Sequence, residues 1–224
     1  MAGERQGAVR AAVDHVMARL PHPITTQRRS VLIGGWNRIG KGLVARDLAA
    51  SHGFAPVALD ALRRFHGNIP DPALRSDTFR QILEELLQRC PTGLCIEGHD
   101  LVLASSSPRF EDRTPEQISV TSMVSLRASR GALCVVLGDT ASSLTDRGAA
   151  IRAHDARGWC WTSSHPLWQG ERFAHRVRDI LVASAGLKAL ARQHDLPYFE
   201  LPVEDFRRHV ADIASRIAAL AALP

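Results

Sequence analysis

Val31-Leu32-Ile33-Gly34-Gly35-Trp36-Asn37-Arg38-Ile39-Gly40-Lys41-Gly42 decides how the rest of the chain is read. A short apolar run stops at paired glycines, and a helical pattern resumes at about Lys41 and continues to Ser51. The stretch therefore predicts a strand, a glycine loop and a helix. Residues 35 to 41 fill the first seven places of G-x-x-x-x-G-K-[ST]. In that pattern backbone N–H groups at a helix N-terminus wrap a phosphate, and a lysine ammonium reaches the outer phosphates. The eighth place is Gly42. Of the 28 Lys and Arg residues only Lys41 and Lys188 are lysines. One of the two falls where the pattern demands a lysine, which favours a phosphate site over a tight turn whose glycines serve geometry alone.

Outward from this loop, short apolar runs alternate with helical patterns. Val9, Val13, Val16, Met17 and Leu20 recur at helical spacing and predict an amphipathic opening helix that ends before Pro21 and Pro23. Strands are expected at 56–59, 93–96, 132–137 and 197–201, and helices at 77–89, 169–194 and 203–223, with a further segment at 119–129. Strand and helix alternating at this spacing call for a parallel sheet covered on both faces, because each parallel return needs a right-handed crossover. Ligands of such sheets bind at the carboxyl ends of the strands. The loops 34–42, 60–68, 97–108 and 138–165 are therefore the places to look for chemistry.

With 224 residues, 45% hydrophobic and 23% charged, the chain is long enough to bury a core in one domain. No apolar run approaches the length of a membrane span, and Met1 to Arg10 carries charge where a signal peptide needs apolar residues. A cytoplasmic location without membrane attachment is expected. Cys90, Cys95, Cys134 and Cys160 form no CxxC pair, and three of them sit in apolar or aromatic surroundings that suit reduced core thiols. The net charge of +5 is spread without a basic block, which argues against a nucleic-acid footprint.

The residues at the strand ends carry their own chemistry. Asp60 is placed to accept or orient a hydroxyl proton, and Arg63 and Arg64 to clamp an anion bidentately, against the plainer reading of a helix cap followed by surface arginines. Glu97 is placed to hold a magnesium-bound water and His99 to touch substrate or relay a proton. Arg147, Arg152 and Arg157 lie in a polar segment before a long helix. Of these, Arg152 and Arg157 are the expected lid arginines, and Trp159 and Trp161 are expected to pack the lid onto the body.

Taken with Leu59-Asp60, Ile96-Glu97-Gly98 and the arginine-bearing segment 142–165, the loop resembles that of the P-loop small-molecule kinases, the group of shikimate, adenylate and uridine kinases and chloramphenicol phosphotransferase. The resemblance implies an α/β three-layer P-loop NTPase fold over 1–224. It implies a five-stranded parallel sheet of order 2-3-1-4-5, helices on both faces and a small lid at about 142–165. It implies ATP and Mg2+ as cofactors, gripped by Gly35, Trp36, Asn37, Arg38, Ile39, Gly40, Lys41, Gly42 and Leu43. The γ-phosphoryl group would pass to a hydroxylated small molecule held by Asp60, Arg63, Arg64 and His99, with Glu97 supporting the metal. Lys41, Asp60, Arg152 and Arg157 would carry catalysis. Gly42 departs from the family pattern, since it supplies no hydroxyl for magnesium. A nucleotide-binding protein without efficient turnover and a sulfotransferase-like use of the loop are the rival readings. The acceptor's identity and the oligomeric state, a homodimer included, are left open.

Overall fold

A computed structural model of the chain describes residues 2–20, 24, 26–67, 69–104, 113–157 and 166–222. Five strands form one parallel sheet in the order β2-β3-β1-β4-β5: β1 Val31–Gly35, β2 Ala55–Ala58, β3 Leu94–Gly98, β4 Leu133–Gly138 and β5 Tyr198–Glu200. Central β1 pairs with β3 on one side (Leu32 opposite Ile96) and with β4 on the other (Leu32 opposite Cys134). Among the described residues eight α-helices accompany them: α1 Ala2–Met17, α2 Lys41–His52, α3 Arg63–His66, α4 Pro72–Arg89, α5 Thr121–Arg130, α6 Leu144–Asp155, α7 Gly170–Gln193 and α8 Phe206–Ala221.

The period-2 alternation of the strands divides the interior into two cores. Leu32, Leu94, Ile96, Cys134 and Val136 face α1, α4 and α5. Val31, Ile33, Cys95, Val135 and Leu137 face α2, α8 and the front half of α7. Both faces are buried, so the strands read as continuous apolar runs. Together, the three layers are the α/β architecture expected from the alternating pattern. Cys90, Cys95 and Cys134 are free and buried, and burial pushes the Cys134 thiol up to about 12. Cys160 lies outside the described residues.

Several boundaries differ from expectation for local reasons. α1 starts at Ala2, well before the apolar stripe at Val9, because Ala, Glu, Arg and Gln are good helix formers. α4 starts at Pro72 rather than at 77: Asp71 accepts from the N–H groups of Ala73 and Leu74, and proline takes the first turn, where its missing N–H costs nothing. Residues 144–155, expected as part of a lid, form a regular helix capped by Ser143, whose hydroxyl accepts from the Asp146 N–H. Residues 158–165 of that segment, with Trp159, Trp161 and His165, lie outside the described residues, as do Asn68 and 105–112. No helix of the described residues is long and apolar enough to cross a membrane.

Candidate active site

The carboxyl end of β1 runs straight into the glycine loop. A Cβ on Gly35 would stand 2.6 Å from the Leu137 carbonyl oxygen, so the loop leaves the sheet at a distance only glycine permits. Gly40 has φ +107° and is closed in by Leu201 and Phe206, 2.8 Å from where a Cβ would lie. A side chain there would be both strained and blocked. Trp36 and Ile39 are buried and anchor the loop from beneath. Arg38 sits at φ +60° between them. Its guanidinium pairs with Asp155 at the end of α6 and lies 5.0 Å from the centroid of the Trp168 ring, tying the middle of the loop to α6.

Lys41 opens α2 from a buried position, and its Nζ donates to the Trp36 carbonyl at 2.9 Å, across the turn of the loop. Burial pushes its pKa down, against the pull of Glu97, Asp60 and Asp100. Glu97, at the end of β3, is pushed up by burial while Lys41 draws it down. Gly98 beside it leaves no room for a side chain because Leu59 packs there, 2.6 Å from a Cβ position. That contact sets Asp60 at the mouth of the same cleft.

The cleft has a volume of about 1220 Å³. Asn37, Arg38, Gly40, Lys41, Gly42 and Leu43 line its floor, and Asp60, Arg63 and Glu97 its β2–β3 side. Arg147, Ile151, His154 and Arg157 from α6, with Asp205 to Arg208 at the start of α8, line the β4–β5 side. The structure thus brings the loop, Asp60, Arg63, Glu97 and Arg157 to one cavity.

It does not bring Arg64, Arg152 or His99 there, and within the loop Gly35, Trp36 and Ile39 do not line the cavity. Arg64 turns outward and hydrogen-bonds His15 while its guanidinium covers the Phe65 ring at 4.8 Å. Arg152 stacks over Phe173 at 4.5 Å, because its place on α6 faces α7. His99 is buried under the loop, edge-on to Trp36 with ring centroids 4.3 Å apart. Arg113 donates to its Nδ1 at 2.9 Å, so the ring proton sits on Nε2, and burial and neighbouring cations push its pKa well below the usual histidine value. A neutral histidine behind the wall supports Trp36 and Arg113 rather than relaying protons. Arg64→Ala is accordingly expected to change stability by no more than about 0.5 kcal/mol and to leave ATP binding unchanged, checked by thermal melting and calorimetry.

Two networks escaped the sequence. Arg63 and Arg113 share Asp100, at 3.0 and 2.8 Å. Asp139 at the end of β4 caps the turn at Ala141 and Ser142 and pairs with Arg147, which also donates to the Leu201 carbonyl at 2.7 Å. Arg147, weighed as a lid arginine, is a buried strut between β4, α6 and β5. Strand-end placement flags Asp139 and Asp100, but no spacing rule connects them to arginines elsewhere in the chain.

For magnesium the available donors are few. Among the described residues no group of three or more His, Cys, Asp or Glu is arranged to hold a metal. At Gly42 a Cβ would meet only Glu97 Oε1, 3.7 Å away, so one carboxylate faces the place where the loop hydroxyl is missing. A single hard oxygen donor beside a phosphate cradle fits an ion that keeps most of its waters.

The sheet order, with the loop between the central strand and α2, has counterparts among solved structures. Shikimate kinase from Acinetobacter baumannii, in complex with shikimate, matches 87% of this chain over 93% of its own, at 18% identity and TM-score 0.50. Shikimate kinase from Bacteroides thetaiotaomicron matches 87% over 99%, at 14% identity and TM-score 0.51. The chain has the P-loop NTPase fold of these structures. A gluconokinase from Sinorhizobium meliloti 1021 matches 86% over 94%, at 16% identity and TM-score 0.47. No protein-family model and no curated protein matches the sequence. In this fold the cleft at the carboxyl end of β1 is the switch point at which chain connections run off in opposite directions, the position where open α/β sheets bind ligands.

Proposed function

We propose that the chain transfers the γ-phosphoryl group of ATP to a hydroxyl of a small molecule. The observation that carries this reading is the meeting, in one cleft, of the glycine loop with Lys41 and the carboxylates Asp60 and Glu97. Backbone N–H groups of residues 37–43 and the Lys41 ammonium would hold the β- and γ-phosphates, with Lys41 exchanging its bond to the Trp36 carbonyl for a phosphate oxygen. Asp60, exposed at the mouth, would take or orient the acceptor's hydroxyl proton as that oxygen bonds to the γ-phosphorus and ADP departs. Arg157 would meet charge spreading over the transferring oxygens from the β4–β5 side. Glu97, together with nucleotide oxygens and waters, would hold magnesium, which would neutralise phosphate charge.

The test is a coupled assay of ADP release over a panel of hydroxylated small molecules, shikimate among them, run beside Asp60→Asn. Acceptor-dependent ADP release that falls by about 10²-fold or more in the variant supports the reading; release unaffected by every acceptor, or by the variant, overturns it. The pH dependence gives a second handle. Since the charged lysine binds phosphate and burial lowers its pKa, ATP affinity should decline with rising pH below the ordinary lysine range, and Lys41→Arg should lose that decline.

Gly42 favours one other reading, nucleotide binding without efficient turnover, because the loop offers magnesium no hydroxyl. Gly42→Ser separates the two. The space beside Glu97 accepts the side chain, and serine is a better helix residue than glycine by roughly 0.5 kcal/mol, so the fold should be undisturbed. A severalfold rise in magnesium-dependent turnover over a measurable wild-type rate fits the kinase reading. Activity appearing only in the variant fits the binding reading.

A further inference from the structure

We infer that the acceptor is an uncharged polyhydroxyl compound, met by a cleft wall whose own cations are already matched by carboxylates. The inference rests on the kinase reading above and adds the substrate class to it. On the β2–β3 side of the cleft Arg63 lies beside Asp60, while Arg46 lies by Glu97 and donates its Nε to the Gly42 carbonyl at 3.1 Å. The Arg63 Nη2 donates to both oxygens of Asp100, at 3.0 and 3.3 Å, and its Nε to Asp100 at 3.2 Å, with Asp60 Oδ1 a further 3.3 Å away from the same nitrogen. Arg113 backs it, donating to Asp100 at 2.8 Å and to His99. Two guanidiniums thus face two carboxylates. Burial lowers the pKa of both His99 and His66 behind them, so neither adds charge near neutral pH. Arg64 is turned away onto His15.

Drawing Arg63 off to serve an acidic acceptor would strip partners from Asp100, whose side chain is only 5% exposed. Asp100 would keep Arg113 but lose the other of its two guanidiniums, and weakening a buried ion-pair network costs stability. The acid group of such an acceptor would also lie near Asp60, Glu97 and the donor's phosphates, all of its own sign. Neutral hydroxyls meet no such opposition. They accept from guanidinium N–H groups that have hydrogens to spare and donate to Asp60 and Glu97. The opposite side of the cleft differs: Arg157, Arg207 and Arg208 line it, with Asp205 beside them, and among the described residues no ion pair joins these arginines to a carboxylate. Positive charge is therefore concentrated on the β4–β5 side and balanced on the side of Asp60.

The experiment pairs acceptors that differ in one acid group, glucose against gluconate and myo-inositol against quinate. Each is followed by ADP release and by calorimetric binding in the presence of a non-hydrolysable ATP analogue. The neutral member of a pair is expected to lead by about tenfold or more in kcat/KM or affinity. An acidic member leading, or no neutral compound bound or phosphorylated at millimolar concentration, overturns the inference; the first of these leaves phosphotransfer itself intact. Neutral compounds that bind without ADP release support the acceptor class and count against the kinase reading. Asp100→Asn, checked for folding by thermal melting, should narrow the neutral-to-acid ratio by freeing Arg63. An unchanged ratio in a folded variant counts against the inference.

Discussion

Lys41→Ala is expected to lower phosphoryl transfer by about 10²-fold or more, by comparison with the removal of other single electrostatic stabilisers, and to do so without unfolding the protein. The side chain is buried, its nitrogen held by one carbonyl, and burial already weakens its charged form. In the absence of phosphate the ammonium is a cost to the fold. Lys41→Met, which keeps the stem and discards the charge, should therefore raise the thermal midpoint while abolishing the further rise that ATP gives the wild type. Activity lost together with stability gained is a signature that general damage does not produce. Lys41→Arg should not restore the rate, because a planar fork does not fit where a compact ammonium emerges from the first turn of α2. Steady-state kinetics and melting curves read both halves of the prediction. A Lys41→Ala variant within a few fold of wild type would remove the lysine from the reaction.

Arg147→Ala is expected to have the largest effect on stability. Asp139 is fully buried at the end of β4, and Arg147 supplies its ion pair while holding the Leu201 carbonyl after β5. Without the guanidinium a buried carboxylate and a buried carbonyl lose their donor together. Breaking one partner of such a pair costs about 3–5 kcal/mol, which for a chain of this size lowers the midpoint by roughly 10 °C. Arg147→Lys should recover only part of this, since one ammonium cannot span both acceptors. Asp139→Asn should cost less than Arg147→Ala, because its amide oxygen still accepts from the turn at Ala141 and Ser142. Thermal denaturation of the three variants orders them, and a loss below about 1 kcal/mol for Arg147→Ala would show that the pair is solvated rather than buried.

What the chain discloses in one dimension is the part of the fold that depends on neighbours in sequence. The run Val31–Ile33, the glycines at 35 and 40 and the single lysine between loop and helix announce β1, the phosphate loop and α2, because each needs only local backbone geometry. Strands β3 and β4 are legible for the same reason, being buried on both faces and apolar throughout. The start of α4 was available in Asp71-Pro72, and that of α6 in Ser143-Leu144-Thr145-Asp146, but both signals are polar and read equally well as turn or lid. The pairings that shape the cleft were not available. Arg38 finds Asp155 from 117 positions away, and Arg63 and Arg113 converge on Asp100 from two different segments. Among 28 basic residues no pattern marks which arginine will be drawn inward. Burial decides it: Arg147, with a carboxylate partner at the strand end, became a strut, whereas Arg157, two residues beyond the end of α6, faces the cleft.

Calorimetric titration with ATP, ADP and AMP, side by side on the wild-type chain, bears most directly on the phosphate loop. If residues 37–43 grip the outer phosphates, ATP and ADP should bind with comparable strength and AMP, which has neither a β- nor a γ-phosphate, far more weakly. AMP binding as tightly as ATP, or ATP left unbound at millimolar concentration, would contradict it.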